Sequence, residues 1–185
     1  DGTQAPYTEQ AAVSPISHYG EKKVTAERQV LQVNPDAIVA RLPLMFGTGE
    51  TAASNFMQQL LINLRSGTST NLFTDEFRTP TSGWAAAQGL LLLAQKAISE
   101  KQGKLADLAG LVHLGGPERI SRFDLGCLVA KVINADTSII QGCRQQDVQL
   151  ATPRPQDTSL VSDRARSLGY SPATLLSQLQ PLATA

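Results

Sequence analysis

Two periodicities alternate along this chain. From Pro15 to Val33 the pattern is helical, with Tyr19, Lys23, Ala26 and Val30 on or near one stripe. Asn34-Pro35-Asp36 breaks that run, and Ala37–Leu42 has the composition of a buried strand. Pro43 ends the strand and a loop follows through Phe46–Glu50. Phe56, Leu60, Leu61 and Leu64 then recur at helical spacing, with Gly67 placed as a C-terminal stop. Thr70–Phe73 reads as a short strand, residues 74–82 as a loop, and about Trp84 to Ser99 as a long helix in which Leu90–Ala94 forms a buried turn. Leu111–Leu114 is another short strand, and Gly115-Gly116-Pro117 is a turn. Ser121 can cap the next helix, with Asp124 at its third position suiting the positive end. Ser138–Gln141 reads as a strand, and Ser171 as N-cap with Pro172 at the first position starts the last helix. Strands that alternate with helices predict an α/β fold with parallel pairing.

The length of 185 residues suits one domain, or one domain and part of another. Sixteen basic residues balance sixteen acidic ones, so no net field draws the chain to nucleic acid or to an anionic membrane. A phosphate-bearing ligand would therefore need a local arrangement of charge. Cys127 and Cys143 lack CxxC spacing, and His18 and His113 are scattered, so neither a disulfide framework nor a metal site is expected. Cys127 lies in an apolar helix-like run that reads as packing, and His113, inside a strand, reads as structural. No run approaches the ~18 apolar residues of a membrane helix, and no secretory h-region is visible, which points to a cytoplasmic location. The chain opens on Asp1-Gly-Thr-Gln-Ala-Pro without an initiator Met or a structural start, so it is expected to be part of a longer protein.

Two features carry candidate chemistry. Tyr19 and Lys23 are four residues apart, so a helix presents phenol and ammonium to one volume. A tyrosine titrates near ~10 in water, and a neighbouring cation favours its phenolate, which makes it a usable general acid or base. The same pair could equally be a surface contact on an amphipathic helix. Gly47-Thr-Gly49-Glu-Thr-Ala52 matches G-x-G-x-x-A between a strand and a helix, with Asp75 in the direction of a ribose-binding acid. Pro43 stops the strand several residues too early for that fingerprint, so a substrate-facing loop is the better reading.

Several segments, in order, resemble the extended short-chain dehydrogenase/reductase superfamily, in the group related to dTDP-4-dehydrorhamnose reductase and other nucleotide-sugar reductases and epimerases. Asp1-Gly with Pro6-Tyr-Thr-Glu9 is similar to the loop before its catalytic helix, and Tyr19-Gly-Glu-Lys-Lys23 with Glu27 to its YxxxK helix. Arg41-Leu-Pro-Leu-Met-Phe-Gly47 is similar to its "R…YG" strand and loop, and Phe73–Thr81 to the segment before a long helix. Val112-His-Leu-Gly-Gly116 with Ser121, and Arg154-Pro-Gln-Asp-Thr-Ser-Leu160, are similar to two later elements.

The resemblance implies the C-terminal part of a Rossmann-like extended short-chain dehydrogenase fold with a small mixed α/β substrate-binding lobe. Residues 1–45 would end the dinucleotide-binding domain, and 46–185 would be mainly the lobe, interleaved with the last Rossmann elements. It implies NAD(P) as cofactor and a nucleotide sugar as substrate, and it allows a homo-oligomer. Tyr19 would donate a proton to a substrate carbonyl, and Lys23 would lower the tyrosine pKa and hydrogen-bond the nicotinamide ribose. Leu42 and Pro43 would lie beside the nicotinamide. Asn55, Arg78 and Arg154 would hold a nucleotide diphosphate, each arginine being equally readable as a structural ion pair, and Phe73 and Thr81 would line the pocket. The family's glycine-rich loop and its catalytic Ser/Thr belong upstream of Asp1; Ser14 and Ser17 are not the counterpart. Leu44 stands where the dehydrorhamnose reductases carry Trp. The implied activity is that of an NAD(P)-dependent nucleotide-sugar reductase or epimerase, with this chain alone neither holding dinucleotide tightly nor turning over. The alternative is a non-catalytic regulatory or dinucleotide-sensing member.

Overall fold

A computed structural model describes residues 1–47, 55–99 and 108–184. The glycine-loop match therefore lies, apart from Gly47, outside the described residues. Among the described residues, three of the four strand pairs are parallel, as the alternation of strands and helices leads one to expect. Strand β1 (Ile38–Arg41) pairs with β6 (Gly110–His113), and the register sets Arg41 opposite His113. Strand β2 (Met45–Phe46) pairs with β5 (Thr81–Ser82), and β3 (Thr70–Phe73) with β8 (Ile140–Cys143). The antiparallel pair joins β4 (Phe77–Arg78) to β7 (Ile120–Ser121). The strand expected over Ser138–Gln141 begins two residues later. Asp136 accepts from the Ser138 N–H at 2.8 Å and holds Thr137–Ile139 in a 3₁₀ turn first.

Helix α1 (His18–Val33) starts three residues later than the expected Pro15, because the Ser17 hydroxyl accepts from the Gly20 N–H and caps it there. None of its residues is buried. Helix α2 (Phe56–Ser66) is capped by Asn55, whose Oδ1 accepts from the Gln58 N–H, and it ends at Gly67, left-handed at φ 69° as a helix stop requires. Helix α4 (Arg122–Val132) is capped by Ser121 through the Asp124 N–H, as expected.

Helix α3 (Gly83–Ser99) buries Ala85, Ala86, Gly89 and Leu93. Leu90 and Leu91, expected inside, are 42% and 59% exposed. Residues 85, 86, 89 and 93 share one face at helical spacing, and 90 and 91 are rotated away from it. The last helices are short: α5 (Asp163–Ser167) and α6 (Leu175–Leu179). The cap of α6 is Thr174, not Ser171, and Pro172 lies ahead of the helix. The Thr174 hydroxyl accepts from the Ser177 N–H, and a side chain distant in sequence reinforces that start, for Glu118 Oε1 accepts from the Leu175 N–H at 2.9 Å.

Two cores result. Leu93, Val112, Leu114, Ala165 and Tyr170 form one, between α3, β6 and α5 and beneath β1. Met57, Leu60, Leu64, Leu72, Leu125, Val129, Leu175 and Leu179 belong to the other, between α2, α4, β3, β8 and α6.

Candidate functional site

Tyr19 and Lys23 sit in the first two turns of α1, on the wall of an open cleft of about 400 Å³. Its other walls are the N-terminal loop and the segment around Pro155, Thr158 and Leu160. The loop is fastened by Tyr7, whose hydroxyl accepts from the Gly2 and Gln4 N–H groups and donates to Asp1 Oδ1. Backbone bonds from the Tyr7 N–H to the Ser159 carbonyl and from the Val161 N–H to the Tyr7 carbonyl dock it on the chain's later half. Tyr19 is 72% exposed, and Lys23 Nζ stands 5.4 Å from the centroid of its ring, over the ring. A reactant entering the cleft can reach both groups.

Beneath the cleft, Arg41 forms a two-pronged pair with Glu27, at 2.8 and 2.6 Å, and its Nη1 lies 3.4 Å from His113 Nε2. With Arg41 as donor, His113 is assigned as the tautomer whose Nδ1–H donates to the Val161 carbonyl, 3.1 Å away. Burial pushes the imidazolium of His113 below its ordinary pKa; Arg41 adds to that, while Glu9 and the Val161 carbonyl oppose it. His113 is thus a neutral structural strut. Leu42 packs against the first core, and Pro43 follows β1; neither lines the Tyr19 cleft.

A second cleft, of about 460 Å³, brings together three of the residues singled out for substrate: Asn55, Phe73 and Arg154. It adds one that sequence reasoning missed, Arg122, the first residue of α4. Behind it sits Glu76, with a side chain only 1% exposed. Its Oε1 receives Arg122 Nε at 2.8 Å and lies 3.2 Å from Arg78 Nη2. Its Oε2 receives Gln145 Nε2 at 3.1 Å, with Arg154 Nη1 at 3.9 Å.

Arg78 does not line the cleft. Its Nη1 donates to the Phe77 and Gln156 carbonyls and its Nη2 to that of Pro155, so it clamps the segment that carries Arg154. Desolvation pulls its pKa down against the pull of Glu76. Thr81 is also elsewhere: it is fully buried on β5 and donates to Gln178 Oε1 at 3.2 Å. Asp75 accepts from the Gln145 N–H and from Gln156 Nε2, a structural use.

This arrangement, with a Tyr/Lys helix beside a parallel strand pair and a second lobe bearing arginines, is that of the Rossmann-like extended short-chain dehydrogenase/reductases. The dTDP-4-dehydrorhamnose reductase of Bacillus anthracis, solved in complex with NADP, superposes with a TM-score of 0.79 at 17% identity, covering 99% of this chain and 60% of that one. The chain belongs to the RmlD substrate binding domain family, matched over residues 1–182. It is 31% identical over 186 residues to a probable low-salt glycan biosynthesis reductase of Haloferax volcanii, covering 99% of this chain and 59% of that protein. It is 30% identical over 175 residues to methionine adenosyltransferase 2 subunit beta of Xenopus laevis, covering 94% of this chain and 51% of that protein. The chain thus spans between half and three fifths of the length of these relatives.

Proposed function

We propose that this chain supplies the proton-transfer pair and the substrate lobe of an NAD(P)-dependent reductase or epimerase acting on a nucleotide sugar. The observation that carries the reading is the open cleft in which Tyr19 and Lys23 meet, next to an arginine-bearing cleft. The first fits a nicotinamide cofactor, since an exposed phenol and a lysine cation face one volume large enough for a ring and a sugar. That cofactor would supply the hydride. Tyr19 Oη then gives its proton to the carbonyl oxygen of the sugar, and Lys23 stabilises the phenolate left behind. Leu42 and Pro43 support the cofactor side from the end of β1. Asn55, Phe73 and Arg154 bind the nucleotide part, while Arg78 and Thr81 act through the architecture around it. The two cores support a division in which residues 1–45, joined by β6 and α3, complete the dinucleotide-binding unit and most of 46–185 forms the lobe.

The test is loss of reduced-nicotinamide absorbance with a 4-keto nucleotide sugar, comparing the complete gene product with its Tyr19→Phe variant. Turnover abolished by the substitution is expected, and unchanged turnover removes the acid role. A second reading, a non-catalytic subunit that keeps the fold, is favoured by the identity to methionine adenosyltransferase 2 subunit beta. It predicts no turnover in the wild type and unaltered partner binding in the Tyr19→Phe variant.

A further inference from the structure

Helix α1 carries Tyr19 and Lys23, yet none of its residues is buried, and its inward stripe of Gly20, Val24, Glu27 and Leu31 is only half-buried. Aliphatic contact of this kind is non-directional and tolerates a change in the rotation of the helix. One contact does not. Glu27 presents both carboxylate oxygens to Arg41, Oε1 to Nε at 2.8 Å and Oε2 to Nη2 at 2.6 Å. The two side chains are 19% and 20% exposed, and a fork on a carboxylate is planar and geometrically specific. The other polar contacts of α1 side chains stay inside the helix: His18 with Glu21, the Thr25 hydroxyl with the Glu21 carbonyl, and Lys23 with the Tyr19 ring. Among the described residues, the fork is therefore the one side-chain hydrogen-bonded link from α1 to another element.

The far end of that link is firmly placed. Arg41 closes β1 and stands opposite His113 at the end of β6, with its Nη1 3.4 Å from His113 Nε2. The His113 N–H in turn donates to Glu9 Oε1 at 3.0 Å. Glu9 belongs to the N-terminal loop, which forms another wall of the Tyr19 cleft. Two walls of the cleft are thus tied to one pair of strand ends, α1 through Glu27 and the loop through Glu9. Tyr19, Lys23 and Glu27 recur every four residues, so they lie along one side of the helix, and all three line the cleft. A rotation of α1 by about 10° moves a side chain roughly 5–6 Å from the axis by about 1 Å. A misplacement of that size can cost about 100-fold in rate.

We infer that Glu27 and Arg41 are positioning residues: their fork fixes the rotation of α1, and with it the direction from which the Tyr19 hydroxyl and the Lys23 ammonium enter the cleft. The catalytic consequence rests on the proton-transfer reading above, whereas the seating of the helix does not.

Two measurements test the two parts separately. In the 185-residue chain, amide residual dipolar couplings report the orientation of α1 relative to β1 and β6. In the wild type these elements are expected to fit one alignment frame. In Glu27→Ala the α1 couplings should depart from that frame or shrink while those of α2 and α4 keep theirs; Glu27→Gln, which retains one acceptor, should depart less and carries the test if the alanine variant does not fold. In the complete gene product, Glu27→Ala is expected to lower kcat by about 10- to 100-fold, with KM for the nucleotide sugar and for the reduced nicotinamide held within about twofold. Arg41→Lys, which keeps the charge without the fork, should lie between it and the wild type. Unaltered α1 couplings in Glu27→Ala and Glu27→Gln overturn the inference, as does an unaltered kcat in Glu27→Ala. Displaced couplings together with a wild-type gene product that turns over no 4-keto nucleotide sugar support the seating by Glu27 and Arg41 and remove the nucleotide-sugar reading instead.

Discussion

The buried carboxylate of Glu76 offers the sharpest quantitative check on this architecture. Its side chain is 1% exposed, and the guanidiniums of Arg78 and Arg122 that meet it are each 13% exposed. Glu76→Ala would leave both cations desolvated without a counter-charge. Removing one member of a buried ion pair costs about 3–5 kcal/mol, because the remaining charge cannot return to water. For a domain of this size each kcal/mol moves the melting temperature by roughly 2–4 °C, so a drop of roughly 6–20 °C is expected. Glu76→Gln keeps hydrogen bonding without charge and should fall between the two. The exposed His18–Glu21 contact serves as control, since Glu21→Ala at such a site should cost only about 0–1 kcal/mol. Thermal unfolding by circular dichroism reads all three. Phosphate should recover more of the Glu76→Ala deficit than chloride at matched ionic strength, because an oxyanion can occupy the vacated position between the guanidiniums. A Glu76→Ala protein melting within about 2 °C of wild type would refute the argument that this carboxylate organises the cluster.

Three further outcomes follow from other sites. Tyr19→Phe should change stability by less than about 0.5 kcal/mol in urea unfolding, because the side chain is exposed, so a larger loss would mean a structural role. The lowered pKa of His113 means that the unfolded chain takes up a proton that the folded one refuses. Its contribution is complete above about pH 6.5 and declines as pH falls below it, by at most about 1.4 kcal/mol per pH unit. His113→Gln should flatten the pH dependence of the urea midpoint on the acid side, and an unchanged slope would contradict the assignment of that proton uptake to His113. Gly116→Ala would put a Cβ 1.8 Å from the Pro80 carbonyl oxygen, a backbone atom with little room to move. It should destabilise by about 1–3 kcal/mol or more, and an unaltered midpoint would contradict the packing of that turn.

What could be read from the sequence was what local rules decide. The strand at Thr70–Phe73, the cap at Ser121 and the stop at Gly67 each depend on residues within a few positions, and each is found in place. The face of α3 was misjudged because the run of leucines drew attention to bulk. Apart from Leu93, the helix buries its small residues: a Cβ at Gly89 would meet Tyr170 at 2.9 Å and Leu114 at 3.1 Å, so the close approach leaves Leu90 and Leu91 outside. The start of α6 is marked locally by the Thr174 hydroxyl, which accepts from the Ser177 N–H, and is reinforced by Glu118, 57 residues away from Leu175. Tyr19 and Lys23 were legible because a helix alone brings them together. Arg122 was not, because its significance arises only where α2, α4, β3 and the loop carrying Glu76 converge. Arg78 was legible as a candidate but not in its setting, since its carbonyl partners at Pro155 and Gln156 lie 77 and 78 residues on.

That setting connects the two clefts. The short segment from Arg154 to Asp157 carries Arg154 into the second cleft and Pro155 into the Tyr19 cleft. Arg78 grips the Pro155 and Gln156 carbonyls from within. Asp157 is held in turn by Arg119 at 2.7 Å, and the Tyr7–Leu160 bridge ties the following residues to the N-terminal loop. The Gln156 and Phe77 carbonyls also accept from the Phe77 and Thr158 N–H groups, so Arg78 adds to a backbone seam that already fixes this wall. On the proposed reading, a nucleotide sugar would lie with its nucleotide part in the second cleft and its reacting carbon at Tyr19, so the distance between those ends is set by a segment only a few residues long. Arg78, by clamping that segment, would then keep the two clefts in register.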